Sequence, residues 1–284
     1  TDRDTLGWSP LCFAVVQGDA ALVKALLDRK ADANDHLPLN KKEANLRRKM
    51  SVLSLAAAYH NNEVVNILLA ARANVDGGGG RPGTALCWAA SSDNVSAVRI
   101  LCEANADPHI KVFPDTSPFK AACALGSVKT MKEMLMHFPV VSLRFCLHIA
   151  LVFFGAGETV SSLIEAAADI NEQLRIPPSR VTWWTIVKML HARHHFSPSA
   201  LTYLAYHHYG ATPLIVSILA GKFDATAILL KAGANTEICN DRGKSAACFL
   251  QEMHVNMPPS LVLTPAPAEN PPSDLEEEDD SFSI

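Results

Sequence analysis

The sequence predicts an all-α solenoid of about seven helix-turn-helix units plus a truncated C-terminal cap. Three observations carry that prediction. A Ser or Thr opening a short apolar helical pattern recurs at Ser9, Ser51, Thr84, Ser117, Thr212 and Ser245, in steps of 42, 33, 33, 95 and 33 residues. Self-similarity at such a period marks units that must stack to bury their apolar faces. Ala and Leu supply much of a 49% hydrophobic share while aromatics are 7%, a balance suited to small, closely packed helices rather than one large core. The punctuation also repeats: Pro10, Pro118 and Pro213 sit at the first helical position, where a missing N–H costs nothing, and Gly18, Gly126 and Gly221 end the first helix.

The first unit reads Gly7-Trp8-Ser9-Pro10-Leu11-Cys12-Phe13-Ala14, then Gly18-Asp19, Val23, Leu26-Leu27 and Ala31-Asp32-Ala33-Asn34. The third reads Gly83-Thr84-Ala85-Leu86-Cys87-Trp88-Ala89-Ala90, then Val98, Ile100-Leu101 and Ala104-Asn105-Ala106-Asp107. These residues resemble the ankyrin repeat family, whose units follow roughly G-x-T-P-L-H-x-A-A, G-H-x-E-V-V-x-x-L-L and G-A-D-x-N. The resemblance covers about 4–250, with a weak zone at 172–209. It implies a stack that binds other proteins on a concave surface and carries no chemistry of its own.

In chain order, repeats are expected near 6–36, 51–76, 83–109, 117–139 and 145–171, a degenerate one over 179–209, then 210–239 and a half-repeat at 243–253. Ala14, Ala56, Ala89 and Ala121 are expected to let the two helices of a unit approach closely. Leu26-Leu27, Leu68-Leu69 and Leu229-Leu230 are expected to face the neighbouring unit. Between the first two repeats, an insertion at 37–50 carries a basic patch of Lys41, Lys42, Arg47, Arg48 and Lys49, with a short helix expected from Glu43 to Lys49. It reads as a solvated, lengthened finger, or else as a contact for an acidic partner or for this chain's own acidic tail. Gly77 to Gly80 precedes Thr84 without the lysine or the strand of a phosphate loop. The finger after the fourth repeat is missing, so that 139–142 leads almost directly into the next helix.

Over 172–209 the pattern weakens. Pro177-Pro178 interrupts the chain, Ser179 is expected to cap a longer helix, and a second helix begins near Ser197-Pro198. Of Trp183 and Trp184, at least one is expected in the core. His191 with His194 or His195 has the i, i+3 or i, i+4 spacing that holds zinc on one helix face. No H-E-x-x-H and no nearby cysteine supports that use, and polar helix ends are the simpler reading. From 254 to 284 the composition turns to proline and acid. Six prolines and the acidic run of Asp274, Glu276, Glu277, Glu278, Asp279 and Asp280 preclude a packed core there.

Several function classes drop out. The net charge of −4 becomes about +2 without the six tail carboxylates; with no aromatic interleaving of its basic residues, no nucleic-acid partner is expected. No apolar run reaches the roughly 18 residues of a membrane helix. Seven cysteines without C-x-x-C spacing, with Cys12, Cys87 and Cys248 at one repeat position, read as buried thiols in a reducing, cytoplasmic or nuclear, compartment. No catalytic constellation, metal site or cofactor motif is present, and no enzyme activity is expected.

The expected function is a non-catalytic, monomeric interaction scaffold binding a protein partner. On the concave surface of fingertips and first helices, the expected contacts are Thr5, Leu6, Trp8, Val16 and Gln17 in the first repeat and Tyr59 in the second. Arg81, Ser91 and Ser92 follow in the third, then His208 and Tyr209 before the 210–239 repeat. Trp8, Tyr59 and Tyr209 are the expected anchors, since aromatics dominate interface hot spots. The alternative is a substrate-targeting or regulatory module of a longer enzyme, a ligase or kinase. The chain lacks an initiator Met and opens inside a repeat, and further repeats are expected to precede it.

Overall fold

The computed structural model describes residues 3–4, 7–38, 49–78, 83–111, 116–155, 157–175 and 200–252. Six helix pairs repeat along these residues: α1 (Pro10–Gln17) with α2 (Ala20–Asp28), α3 (Val52–Ala58) with α4 (Asn62–Ala70), α5 (Ala85–Ser91) with α6 (Val95–Glu103), α7 (Pro118–Leu125) with α8 (Val128–His137), α9 (Cys146–Val152) with α10 (Gly157–Glu165), and α12 (Pro213–Leu219) with α13 (Phe223–Lys231). A single helix, α11 (Ala200–His207), precedes the last pair, and α14 (Ala246–Glu252) follows it as the half-repeat. Among the described residues no helix is long and apolar enough to cross a membrane.

Local chemistry explains the repetition. Ser9, Ser51, Thr84, Ser117 and Thr212 are extended, and each side-chain oxygen accepts the N–H three residues on. One of the orphan donors of the helix start is thereby satisfied. Gly18 and Gly126 close α1 and α7 in the left-handed region, at φ 71° and 75°. In the second and third units His60 and Asp93 take the same conformation, at φ 60° and 55°. A side chain there is strained relative to glycine, and this turn position was not legible as such in the sequence.

The first helices form an inner row in which α1, α3, α5, α7, α9, α12 and α14 pack in succession; the second helices form an outer row, α2, α4, α6, α8, α10 and α13. One continuous apolar core runs from Leu11 to Leu250. Ala14, Ala56 and Ala89 are fully buried. In the fourth unit Ala122 fills that position, while Ala121 forms a separate small contact with Cys87. Leu68 and Leu229 are fully buried, whereas Leu26, Leu27, Leu69 and Leu230 are half-buried against the core.

The insertion at 37–50 rises from a two-stranded stem. β1 (His36–Pro38) pairs antiparallel with β2 (Lys49–Ser51), with Leu37 opposite Met50. Lys49 therefore lies in a strand and not in the short helix expected from Glu43, because Met50 turns inward (5% exposed) and fixes the alternation. Lys41, Lys42, Arg47 and Arg48 lie outside the described residues, as do Trp183, Trp184, His191, His194, His195 and the tail from 254 onward.

Of the unit expected at 179–209, only the part from 200 onward, which holds α11, lies among the described residues. Helix α9 packs directly on α12, and α10 directly on α13. The polar links agree. The residue ten after the capping position donates to the preceding unit: Asn61 Nδ2 to the Val15 carbonyl (2.6 Å) and Asn94 Nδ2 to that of Ala57 (2.9 Å). At the same offset from Thr212, Lys222 Nζ donates to the carbonyls of Ala150, Phe153 and Gly155 at 3.0, 2.6 and 2.7 Å. The fingers repeat the relation: Asn34 Oδ1 accepts from the Asn74 N–H (2.7 Å), and Asn171 Oδ1 from that of Asn235 (2.9 Å). Units 145–171 and 210–239 are thus immediate neighbours, which leaves six stacked pairs among the described residues.

Candidate functional site

Each unit repeats the same orientation, so residues at one offset from the capping position form a row across the inner helices. Eight residues after the cap stand Gln17, Tyr59, Ser92, Leu125 and Phe153. Tyr59, Leu125 and Phe153 are large and apolar yet 55, 44 and 40% exposed. Phe154 joins them at 76% exposed, its N–H donating to the Ala124 carbonyl across the unit boundary at 2.8 Å. The row ends the inner helices on the side away from the fingers. Exposed apolar side chains gathered in this way are the row's distinguishing chemistry.

Of the expected contacts, Tyr59 and Gln17 lie on this row and are exposed. Val16 is half-buried against the core. Ser91 and Ser92 are half-buried, and their hydroxyls donate to the Cys87 and Trp88 carbonyls of the same helix at 2.8 and 3.0 Å. Trp8 is half-buried, with its ring 4.8 Å from that of Phe13. It anchors the first finger, while Phe13 presents the open face at 44% exposed. His208 is tied to the Ala205 carbonyl through Nδ1 at 2.6 Å, and Tyr209 beside it is 39% exposed. Trp8 and Tyr209 precede their helices and Tyr59 ends one, so the three expected anchors lie at opposite ends of the inner helices. Thr5, Leu6 and Arg81 lie outside the described residues. Leu125, Phe153 and Phe154 were missed, although Leu125 and Phe153 share with Tyr59 the offset of eight.

His207 is buried beside Tyr203, Tyr206 and Phe249, with ring centroids at 4.7, 5.0 and 5.0 Å. Its ring joins α11 to α14. Among the described residues, no group of three or more His, Cys, Asp or Glu side chains is placed to hold a metal.

The cysteines divide by environment. Cys12, Cys87, Cys102, Cys123 and Cys146 are buried, Cys248 is half-buried and Cys239 exposed. Burial raises the Cys12 thiol and pushes Cys87 and Cys102 up to about 11. Cys248 shares the repeat position of Cys12 and Cys87, but no described unit covers its outer side, and the Ser245 hydroxyl bonded to its sulfur lowers its pKa. The equivalence of these three positions therefore holds in sequence and not in burial. Native alkylation with iodoacetamide at neutral pH is expected to modify Cys239 and Cys248 first, the five buried thiols reacting only after denaturation. Peptide mapping checks this; early labelling of Cys12 or Cys87 would contradict the burial.

Two features of the inner face differ in chemistry: the apolar row just described, and a pocket on the finger side where side chains of several units converge. Residues 11–112 match the family model for ankyrin repeats in three copies. Solved structures extend the likeness over the fold. The human ASB11 ankyrin repeat domain superposes with a TM-score of 0.61 at 20% identity, covering 89% of this chain and 100% of that one. The ankyrin repeat domain of Bcl-3, described as a unique member of the IkappaB protein family, gives 0.59 at 17% identity, covering 86% and 94%. A chain from the complex of the Bd0816 predatory endopeptidase of Bdellovibrio bacteriovorus with the immunity protein Bd3460 gives 0.54 at 22% identity, covering 79% and 98%. No curated protein sequence matches the chain.

Proposed function

We propose, from the premise that residues 11–112 are ankyrin repeats and that the described chain has the ankyrin-repeat fold, that this protein is a non-catalytic scaffold binding a partner protein on its concave face. The ankyrin fold is typically an interaction module, which supports the general reading. The observation that carries the specific one is the exposed apolar row of Tyr59, Leu125, Phe153 and Phe154. Aromatic and aliphatic groups of this size contribute to affinity when a partner removes them from water. We further propose that the scaffold is a monomer in the cytoplasm or nucleus, a reading supported by five thiols buried at helix positions.

The test separates this row from other surfaces. Wild-type chain and a Tyr59→Ala, Leu125→Ala, Phe153→Ala variant are compared in affinity purification, with circular dichroism to establish equal folding. Interactors retained by the wild type are expected to fall at least ten-fold on the variant, because each truncated anchor costs about 1–2 kcal/mol. Equal retention of every interactor would remove the row from the binding surface.

A further inference from the structure

A pocket of about 390 Å³ opens on the finger side of the inner row, opposite the apolar row along α7. Four permanent cations line it: Lys111 from the finger after α6, Lys120 in the first turn of α7, Arg144 just before α9, and Arg175 beyond the finger of α10. His109 adds a fifth basic group, and no carboxylate is among its described lining residues. Charges drawn from separate units along 66 residues of sequence do not converge by helix periodicity; the stacking brings them together.

The floor is constructed. Phe145 replaces the Ser or Thr found at five other helix starts and sits at φ 63°, a left-handed conformation costly for an aromatic residue. Glu172 holds it there, its Oε2 accepting the Phe145 N–H at 2.7 Å and its Oε1 the Arg144 Nε–H at 3.3 Å. In that pose the Arg144 guanidinium lies 4.8 Å, and the Lys120 ammonium 5.9 Å, from the centre of the Phe145 ring. Both cations are held near one aromatic ring. Arg175, at the rim, pairs with Asp241 at 3.2 Å.

We propose that this pocket is the docking site of the chain's own acidic segment, Asp274–Asp280, which competes there with acidic segments of other proteins. Charge complementarity supports the assignment: the segment reads Asp-Leu-Glu-Glu-Glu-Asp-Asp, six carboxylates in seven residues. Reach supports it as well. Helix α7 is three packed inner-row steps from α14, the last described helix, or about 30 Å at the usual interhelical spacing. The intervening 253–273 holds all six tail prolines, and a chain of that length can span about 65 Å when extended. Tethering confers an effective concentration on the order of millimolar, so a weak electrostatic contact suffices. The proposal goes beyond the partner-binding reading and does not depend on it, since the two sites lie at opposite ends of α7.

The test uses the full chain and a fluorescein-labelled synthetic peptide of residues 270–284, read by anisotropy at low salt. One variant neutralises the tail: Asp274→Asn, Glu276→Gln, Glu277→Gln, Glu278→Gln, Asp279→Asn and Asp280→Asn. Another alters the pocket, Arg144→Gln with Arg175→Gln; these side chains are 67 and 56% exposed, so folding should survive. The peptide is expected to bind the tail-neutralised chain at least ten-fold more tightly than wild type, and to lose that binding when the pocket substitutions are added. Equal binding to both tails through the pocket would overturn the assignment of the chain's own tail, leaving an acidic segment of another protein as occupant. Binding indifferent to Arg144 and Arg175 would overturn the site itself. Should the pocket variant fold poorly, carbodiimide crosslinking of the monomeric wild-type chain decides instead. Crosslinks from 274–280 to Lys111 or Lys120 support the proposal; crosslinks only to Lys41, Lys42 or Lys49 overturn it.

Discussion

Acidification from pH 7 to about 4 is expected to cost this protein roughly 3 kcal/mol through His148 alone. His148 is 2% exposed in α9, at the junction of units 145–171 and 210–239. Its Nε2–H donates to the Ala211 carbonyl at 3.0 Å, and its Nδ1 is buried with no hydrogen-bond partner. Protonation would place an N–H donor with no acceptor in an apolar site. Burial accordingly depresses the pKa from 6.5 to about 4, against smaller upward contributions from the Ala211 hydrogen bond and the Asp169 charge. Between those two values the unfolded chain binds more protons than the folded one. Stability is therefore complete above pH 6.5 and declines as the pH falls through 4. The check is urea denaturation of wild type and His148→Gln at pH 7, 5.5 and 4.5. The amide keeps the donor to Ala211 and cannot titrate. Exposed carboxylates cancel in the comparison, so wild type should lose about 2–3 kcal/mol more than the variant. Parallel pH profiles would refute the assignment.

Replacing Lys222 by Met should destabilise the same junction by about 2–3 kcal/mol, a charged hydrogen-bonding group being lost from acceptors that are only partly open to water. The last carbonyls of a helix have no intrahelical donors and carry the negative end of its dipole. Lys222 Nζ satisfies one such acceptor in the last turn of α9, that of Ala150, together with the carbonyls of the cap residue Phe153 and of Gly155 just beyond it. Gly155 itself admits no side chain: a Cβ there would lie 2.7 Å from Ala150. Because units of a repeat stack are coupled mainly to their neighbours, the loss should loosen the C-terminal part of the molecule selectively. Hydrogen exchange is expected to accelerate in α9, α12 and α13 while α1 to α6 keep wild-type protection. Uniform acceleration, or a cost below about 0.5 kcal/mol, would show that the cation is not a keystone of this interface.

Much of the architecture is written locally and could be read without coordinates. Ser9, Ser51, Thr84, Ser117 and Thr212 announce helix starts because capping is a contact within three residues. Gly18 and Gly126 announce helix ends because only backbone freedom at one residue is needed. A common period then implies stacking, and the family model and solved folds agree with that inference.

The exposed apolar row was only half legible, since exposure is a property of neighbours. Tyr59 could be placed by registry, but Leu125 and Phe153 read as ordinary apolar helix residues until the stack left them uncovered. Trp8 was placed by registry too, but its contact with the Phe13 ring, five residues on, was not legible.

The sequence by itself determined that this chain is a stack of helix pairs with capped, evenly spaced starts, because those features depend on contacts within a turn or two. Tertiary structure alone decided that unit 145–171 meets unit 210–239 directly, and that Lys111, Lys120, Arg144 and Arg175 share one pocket. Both outcomes depend on groups brought together across dozens of residues, and no local periodicity encodes which surfaces will touch.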